Sequence, residues 1–172
     1  SVYLTIYTIF NISWTEMVAL HINDSDSKEF LNNMTDIILK FFVAIGLGII
    51  ACMPFVYNIM IDAKFSEGYY QVPIMIIGSI FNIIIGLVST IYVAKKDTKS
   101  IAGTSILSAI INIVVHLALI KHIGLFAATI STLIAYLTMS MYRLYDIKKK
   151  YFEIKINKNF IIITILFLLP IL

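Results

Sequence analysis

Five uncharged polar side chains, Ser100, Thr104, Ser108, Asn112 and His116, recur at every fourth position of one apolar run. On a helix each step of four residues turns by about 40°, so the five share one slanting face roughly 24 Å long. Hydroxyl, amide and imidazole groups exchange hydrogen bonds without fixed charge, and lipid offers them no partner. Matching rows occur at Gly78, Asn82, Gly86 and Thr90, and at Gly124, Ala128, Thr132, Tyr136 and Ser140. Two readings compete. Small residues let helices approach closely while hydroxyls bond across the contact. Alternatively, the rows border a water-filled cavity for a polar cargo, and the candidate cavity-facing residues are then Ser108, Asn112, His116 and Asn82. Glu16 joins that set as an acidic group near the first apolar run. Its plainer reading is a solvated helix-end carboxylate, because the neighbouring Trp14 is of the type that marks headgroup level.

Catalytic constellations are missing from the sequence: there is no HExxH, no GxSxG, no GxxxxGK[ST] and no carboxylate pair within an apolar run. No catalytic residue, cofactor or metal is therefore predicted, and the chain is not expected to be an enzyme. His21, His116 and His122 fall on different parts of the predicted topology and do not converge. The single cysteine, Cys52, excludes an intrachain disulfide and reads as a small packing residue.

The elements that position these groups follow from composition. Of 172 residues, 60% are hydrophobic and 13% charged, where a soluble domain carries roughly a quarter charged. With a mean hydropathy of +0.94, too much apolar area would face water in a soluble globule of this length. Uncharged runs cover 41–61, 68–94, 100–120 and 122–142, with shorter ones at 1–15 and 159–172. About 20 residues cross the hydrocarbon layer as a helix. The predicted spans are 1–20 (partial), 41–61, 71–94, 100–120, 124–142 and 159–172 (truncated), and the sequence reads as a piece of a longer membrane protein.

Orientation follows from lysine and arginine placement. Alternating the gaps puts Lys28, Lys40, Lys95, Lys96, Lys99, Arg143, Lys148, Lys149, Lys150, Lys155 and Lys158 on one side and only Lys64 and Lys121 on the other. The first set is expected in the cytoplasm, with the basic stretch 143–158 facing anionic headgroups. These cations sit in short gaps rather than on one aromatic-laced face, so nucleic acid is not an expected partner. Between the first two spans, Phe30, Leu31, Met34, Ile37, Ile38 and Phe41 recur at helical spacing among polar residues. That pattern predicts an interfacial helix over about 26–40, capped by Asp26 and Glu29, which turns into the membrane at Lys40. Pro54 and Pro73 predict a kink and a helix start.

Several segments together resemble the polysaccharide flippases of the multidrug/oligosaccharidyl-lipid/polysaccharide exporter superfamily. They are Pro73 through Phe81-Asn82, the connection Ile91-Tyr92-Val93-Ala94-Lys95-Lys96-Asp97-Thr98-Lys99, and Ile111-Asn112-Ile113. Ile120 with Gly124-Leu125-Phe126-Ala127-Ala128-Thr129-Ile130-Ser131-Thr132 is similar to the family's turn and helix start. Lys121 stands there in place of proline, Ala127 in place of glycine, and Thr129 and Ser131 in place of alanine. Phe10-Asn11-Ile12-Ser13-Trp14-Thr15-Glu16 and Asp24-Ser25-Asp26 are similar to the stretch leading into the family's ninth helix.

The resemblance implies an all-α polytopic membrane bundle, a partial C-terminal lobe of a two-lobe alternating-access transporter. It implies translocation of undecaprenyl-pyrophosphate-linked oligosaccharide across the bacterial cytoplasmic membrane, with membrane lipids and other polysaccharide assembly proteins as partners. An anionic pyrophosphate calls for buried cations, and no complete predicted span carries one, so they are expected in a missing half. A drug or ion exporter of the same superfamily, a non-transporting assembly subunit and a membrane glycosyl-processing enzyme are the alternatives.

Overall fold

A computed structural model describes residues 2–60 and 67–155. Five helices follow one another: α1 (Val2–His21), α2 (Ser27–Met60), α3 (Glu67–Ala94), α4 (Thr98–Ile123) and α5 (Phe126–Lys150). All regular structure among the described residues is helical. Lys64, Lys158 and the apolar run 159–172 lie outside the described residues.

The apolar stretch of α3 is 72% buried, against 39% for α2 and 11% for α4, so α3 is the central helix. Its sequence explains this placement: isoleucine, leucine, valine and phenylalanine occupy nearly every face, and a helix that is apolar all round belongs inside. Ile83, Ile84, Leu87, Val88 and Tyr92 are fully enclosed. α1 and α2 cover one side and α4 and α5 the other. On the first side, Tyr3, Tyr7 and Phe10 of α1 meet Phe42 of α2 edge-on at 6.0, 5.3 and 5.8 Å. The Tyr3 hydroxyl donates to the Phe42 carbonyl at 2.9 Å.

Trp14 and Val18 continue this inward stripe, and Trp14 is only 2% exposed. It is a core residue, because its spacing from Tyr3 and Tyr7 places it on the face that meets the other helices.

The region 26–60 also departs from expectation. The predicted interfacial helix over 26–40 and the predicted span over 41–61 form one continuous α2. Nothing at Lys40 ends the helix: residues 37–43 contain no glycine or proline, and Lys40 pairs one turn back with Asp36 at 2.5 Å. Asp26 occupies the expected starting position, since its carbonyl accepts the Phe30 N–H at 3.0 Å. The reciprocal capping bonds from the Asp26 and Glu29 carboxylates are not formed among the described residues. Pro54 and Pro73 both lie inside helices.

Two tight connections order the second side. Lys96 takes a positive φ of 57°, and the Asp97 N–H then donates to the Tyr92 carbonyl at 2.8 Å. Asp97 caps α4 through the Ser100 N–H at 3.2 Å. After α4, Gly124 adopts φ 54° and its N–H returns to Ile120 at 3.1 Å. Glycine takes that backbone conformation without the steric penalty a Cβ would bring.

Three helices, Ser27–Tyr57, Gly68–Ala94 and Thr98–Ile123, are long and apolar enough to cross a membrane. The outward faces agree with that: Ile106, Ile110, Ile113, Val114 and Leu117 of α4 are more than half exposed, more apolar area than a water-facing helix tolerates.

Candidate functional site

The α4 row and the Gly78 end of the α3 row meet α5, which carries the third row, whereas Gly86 of the α3 row abuts Tyr7 of α1. Ser108 is buried against α5 and its hydroxyl donates to the Ala135 carbonyl at 3.3 Å. The Asn112 amide reaches Thr132 Oγ1 at 3.5 Å, a long contact. Ser100 and Thr104 point to the same partner helix lower down. Gly78 of α3 lets the Leu133 backbone and the Tyr136 ring approach closely. Much of the spacing seen in the sequence is therefore helix contact. His116 is half-buried one turn beyond Asn112 with no hydrogen bond to a described residue. Asn82 is half-buried on α3, likewise without one, and Glu16 is exposed on α1, away from the other candidates.

Arg143 is a buried charged residue that the sequence reading placed in a basic loop. It was expected in a cytoplasmic basic stretch, but α5 runs on to Lys150, and Arg143 is 2% exposed at the junction of α3, α4 and α5. The physical reason is its register. Ala127, Ser131, Ala135, Met139, Arg143 and Ile147 lie on one four-residue row, and all are buried except the half-buried Met139. That row was visible in the sequence and would have placed Arg143 inside.

Its guanidinium is surrounded by neutral oxygens. Nε donates to Thr104 Oγ1 at 2.9 Å. Nη2 donates to Ser105 Oγ at 3.1 Å and to the Ile101 carbonyl at 3.3 Å. Nη1 donates to the Ile85 carbonyl at 3.4 Å and to the Ser89 hydroxyl. No carboxylate pairs with it among the described residues. A charge removed from water without a counter-ion is costly, and these bonds are what offset that cost.

One turn further along, a cluster of charges closes the same end of the bundle. Lys150 pairs with Asp146 at 2.9 Å and with Asp97 at 3.3 Å. The Tyr92 hydroxyl donates to Asp146 at 2.8 Å and the Tyr151 hydroxyl to Asp97 at 3.3 Å. The hydroxyl of Ser100, bonded to Asp97, holds that carboxyl below its usual range, aided by the Ser100 N–H and Lys150. The bond to Asp146, followed by that to Asp97, raises the Lys150 ammonium above its usual value. Beside this cluster lies an open groove of about 270 Å³, lined by Lys99, Ser100, Thr104, Tyr142, Asp146 and Lys150. Thr104 thus faces the groove on one side and Arg143 on the other.

A second cavity, of about 380 Å³, lies between α3 and α5 toward the opposite end. Gln71, Ser79, Thr129, Thr132 and Tyr136 supply its polar lining. Gln71 Oε1 accepts the Thr129 hydroxyl at 2.8 Å. No metal-binding group of three His, Cys, Asp or Glu side chains occurs among the described residues.

No known family, curated protein or solved structure matches this chain. Among the described residues, the class defined by the fold is an all-helical bundle with three helices long and apolar enough to cross a membrane.

Proposed function

We propose that this chain is part of a multi-pass transporter of the bacterial cytoplasmic membrane. Its cargo on this reading is an anionic lipid-linked headgroup, of the undecaprenyl-pyrophosphate-linked oligosaccharide kind implied by the sequence resemblance. One observation carries the reading: Arg143 is a cation enclosed by three helices with only neutral oxygens around it. Sugars and pyrophosphate cross hydrocarbon only where polar groups replace their water. Arg143 supplies the buried positive charge that the sequence alone assigned to a missing half. The groove holding Lys99 and Lys150 reaches Thr104, a partner of Arg143, so a phosphate approaching from that end would meet hydroxyls that exchange readily.

The test is a leaflet-translocation assay in liposomes with a fluorescent polyprenyl-pyrophosphate sugar. Arg143→Met is expected to abolish translocation while leaving the helical content unchanged. Full translocation by that variant would remove Arg143 from the mechanism. A non-transporting assembly subunit is a second reading, favoured by the use of Ser108 and Asn112 in helix contacts. Wild-type protein that never moves the probe, yet retains partner proteins, would select it.

A further inference from the structure

Gln71 is 92% enclosed by its surroundings, being 8% exposed, and an amide has two ends to satisfy. Oε1 accepts the Thr129 hydroxyl, but Nε2 is buried with no partner. Rotating the amide by a half turn exchanges the problem without solving it, because Thr129 would then meet Nε2 and leave Oε1 bare. In either orientation one polar atom of Gln71, a residue that lines the α3–α5 cavity, is left without a partner.

The other polar groups on that lining narrow the chemistry. Ser79 spends its proton on the Met75 carbonyl at 2.8 Å and Thr132 on the Ala128 carbonyl at 2.8 Å. Their hydroxyl oxygens retain accepting capacity. A hydroxyl group, which both donates and accepts, complements such a lining whichever way the amide lies. No charged residue lines the cavity, so an ionised group there would lose its water without compensation. Ile74, Met75 and Leu133 make up much of the rest and suit an apolar body.

Depth identifies where that body comes from. The apolar stretch of α3 has 27 residues, about 40 Å at 1.5 Å per residue, and overhangs a hydrocarbon layer of about 30 Å by roughly 5 Å at each end. Gln71 stands three residues, about 4.5 Å, inside that stretch. It therefore lies where lipid headgroups meet hydrocarbon.

We infer that the α3–α5 cavity binds the uncharged, hydroxyl-bearing headgroup of a membrane lipid, glycosyl or glycerol, with Gln71 as its principal hydrogen-bonding partner. The inference does not rest on the transport reading, whose pyrophosphate these walls do not accommodate. It concerns the end of α5 opposite Arg143.

The experiment photolabels the protein in nanodiscs with diazirine-bearing monoglucosyl diacylglycerol, diacylglycerol, and the glucosyl lipid with its hydroxyls methylated. Labelling is expected on α3 and α5 peptides with one or both hydroxyl lipids and not with the methylated one. The pair of hydroxyl lipids distinguishes the glycosyl source from the glycerol source. Gln71→Leu is expected to weaken labelling about five-fold, the loss of one hydrogen bond. Gly78→Ala is a second variant. Its added Cβ would meet Leu133 Cα at 3.8 Å, ordinary contact, so the helix is kept while the cavity narrows and labelling falls. Equal labelling of wild type and both variants, equal labelling by the methylated lipid, or no labelling of α3 and α5 would overturn the inference. Translocation by the same preparations is read separately, so a failure of either idea leaves the other standing.

Discussion

Replacing Arg143 by lysine should damage the protein more than replacing it by methionine. The guanidinium of Arg143 on α5 places five N–H···O bonds on two other helices, α3 and α4. A lysine keeps the charge but has three donors at a single point, so at least two of those bonds are lost. At about 1.5–3 kcal/mol for each bond to a charged group, Arg143→Lys costs about 3–6 kcal/mol. Methionine removes the charge and its desolvation cost together. The oxygens it leaves behind are largely provided for: Thr104 already donates to the Ser100 carbonyl at 2.7 Å and Ser89 to that of Ile85. Arg143→Met should therefore cost less than about 2 kcal/mol. Thermal unfolding in detergent, followed by circular dichroism, reads the difference. At roughly 2–4 °C per kcal/mol for a chain of this size, the lysine variant should melt about 6–24 °C below wild type. A lysine variant as stable as the methionine variant would show that the forked geometry of Arg143 does not hold the three helices together.

Three further outcomes are expected. Asp97→Asn keeps an acceptor for the Ser100 N–H but removes a carboxyl whose pKa is depressed mainly by the Ser100 hydroxyl. A depressed carboxyl stabilises the fold above its unfolded pKa, about 4, and that contribution is lost as pH falls through the folded value. The melting temperature of the variant should therefore vary less than that of wild type at acid pH; identical acid profiles would contradict this. Gly86→Ala should destabilise by about 1–3 kcal/mol, because its Cβ would stand 2.8 Å from Tyr7 Cζ, whereas Gly78→Ala should melt near wild type. Cys52 is exposed on the surface of the apolar part of α2. If lipid covers that face, a charged maleimide should leave it unmodified in intact membranes and modify it after denaturation, and rapid modification in membranes would count against a bilayer-spanning α2.

The helices were legible because their signal is local. The predicted spans 71–94 and 100–120 fall within α3 and α4, and the turn that the family resemblance implied at Gly124 falls between α4 and α5. The errors arose where tertiary contact decides. Trp14 is amphipathic enough for a membrane surface, yet its register on α1 makes it core. The sequence 26–41 has the pattern of a surface helix, but no residue near Lys40 breaks the backbone, so the pattern continues into α2. Arg143 was read with Lys148, Lys149 and Lys150 because charge was counted by proximity in sequence. Burial depends instead on helical register, and the inward Arg143 stands three positions before Asp146, which meets Lys150. The rows at Gly78, Ser108 and Thr132 marked polar or small helix faces but could not tell a packed contact from a void. That distinction rests on the size of the side chains facing them from another helix.

The two ends of α5 consequently differ in how firmly they are held. Around Arg143, the guanidinium binds oxygens from α3 and α4 at once, and Tyr92, Asp146 and Lys150 add a second tie one turn away. Around Thr129, the link to α3 is a single hydrogen bond beside a cavity and an unpartnered amide atom. Separating α5 from α3 at the Arg143 end would strand a buried cation, whereas separating them at the Thr129 end breaks one neutral bond and lets a bare polar atom find a partner. Counted by hydrogen bonds and buried charge alone, parting α5 from α3 beside the cavity that Gln71 lines costs less than parting them at Arg143.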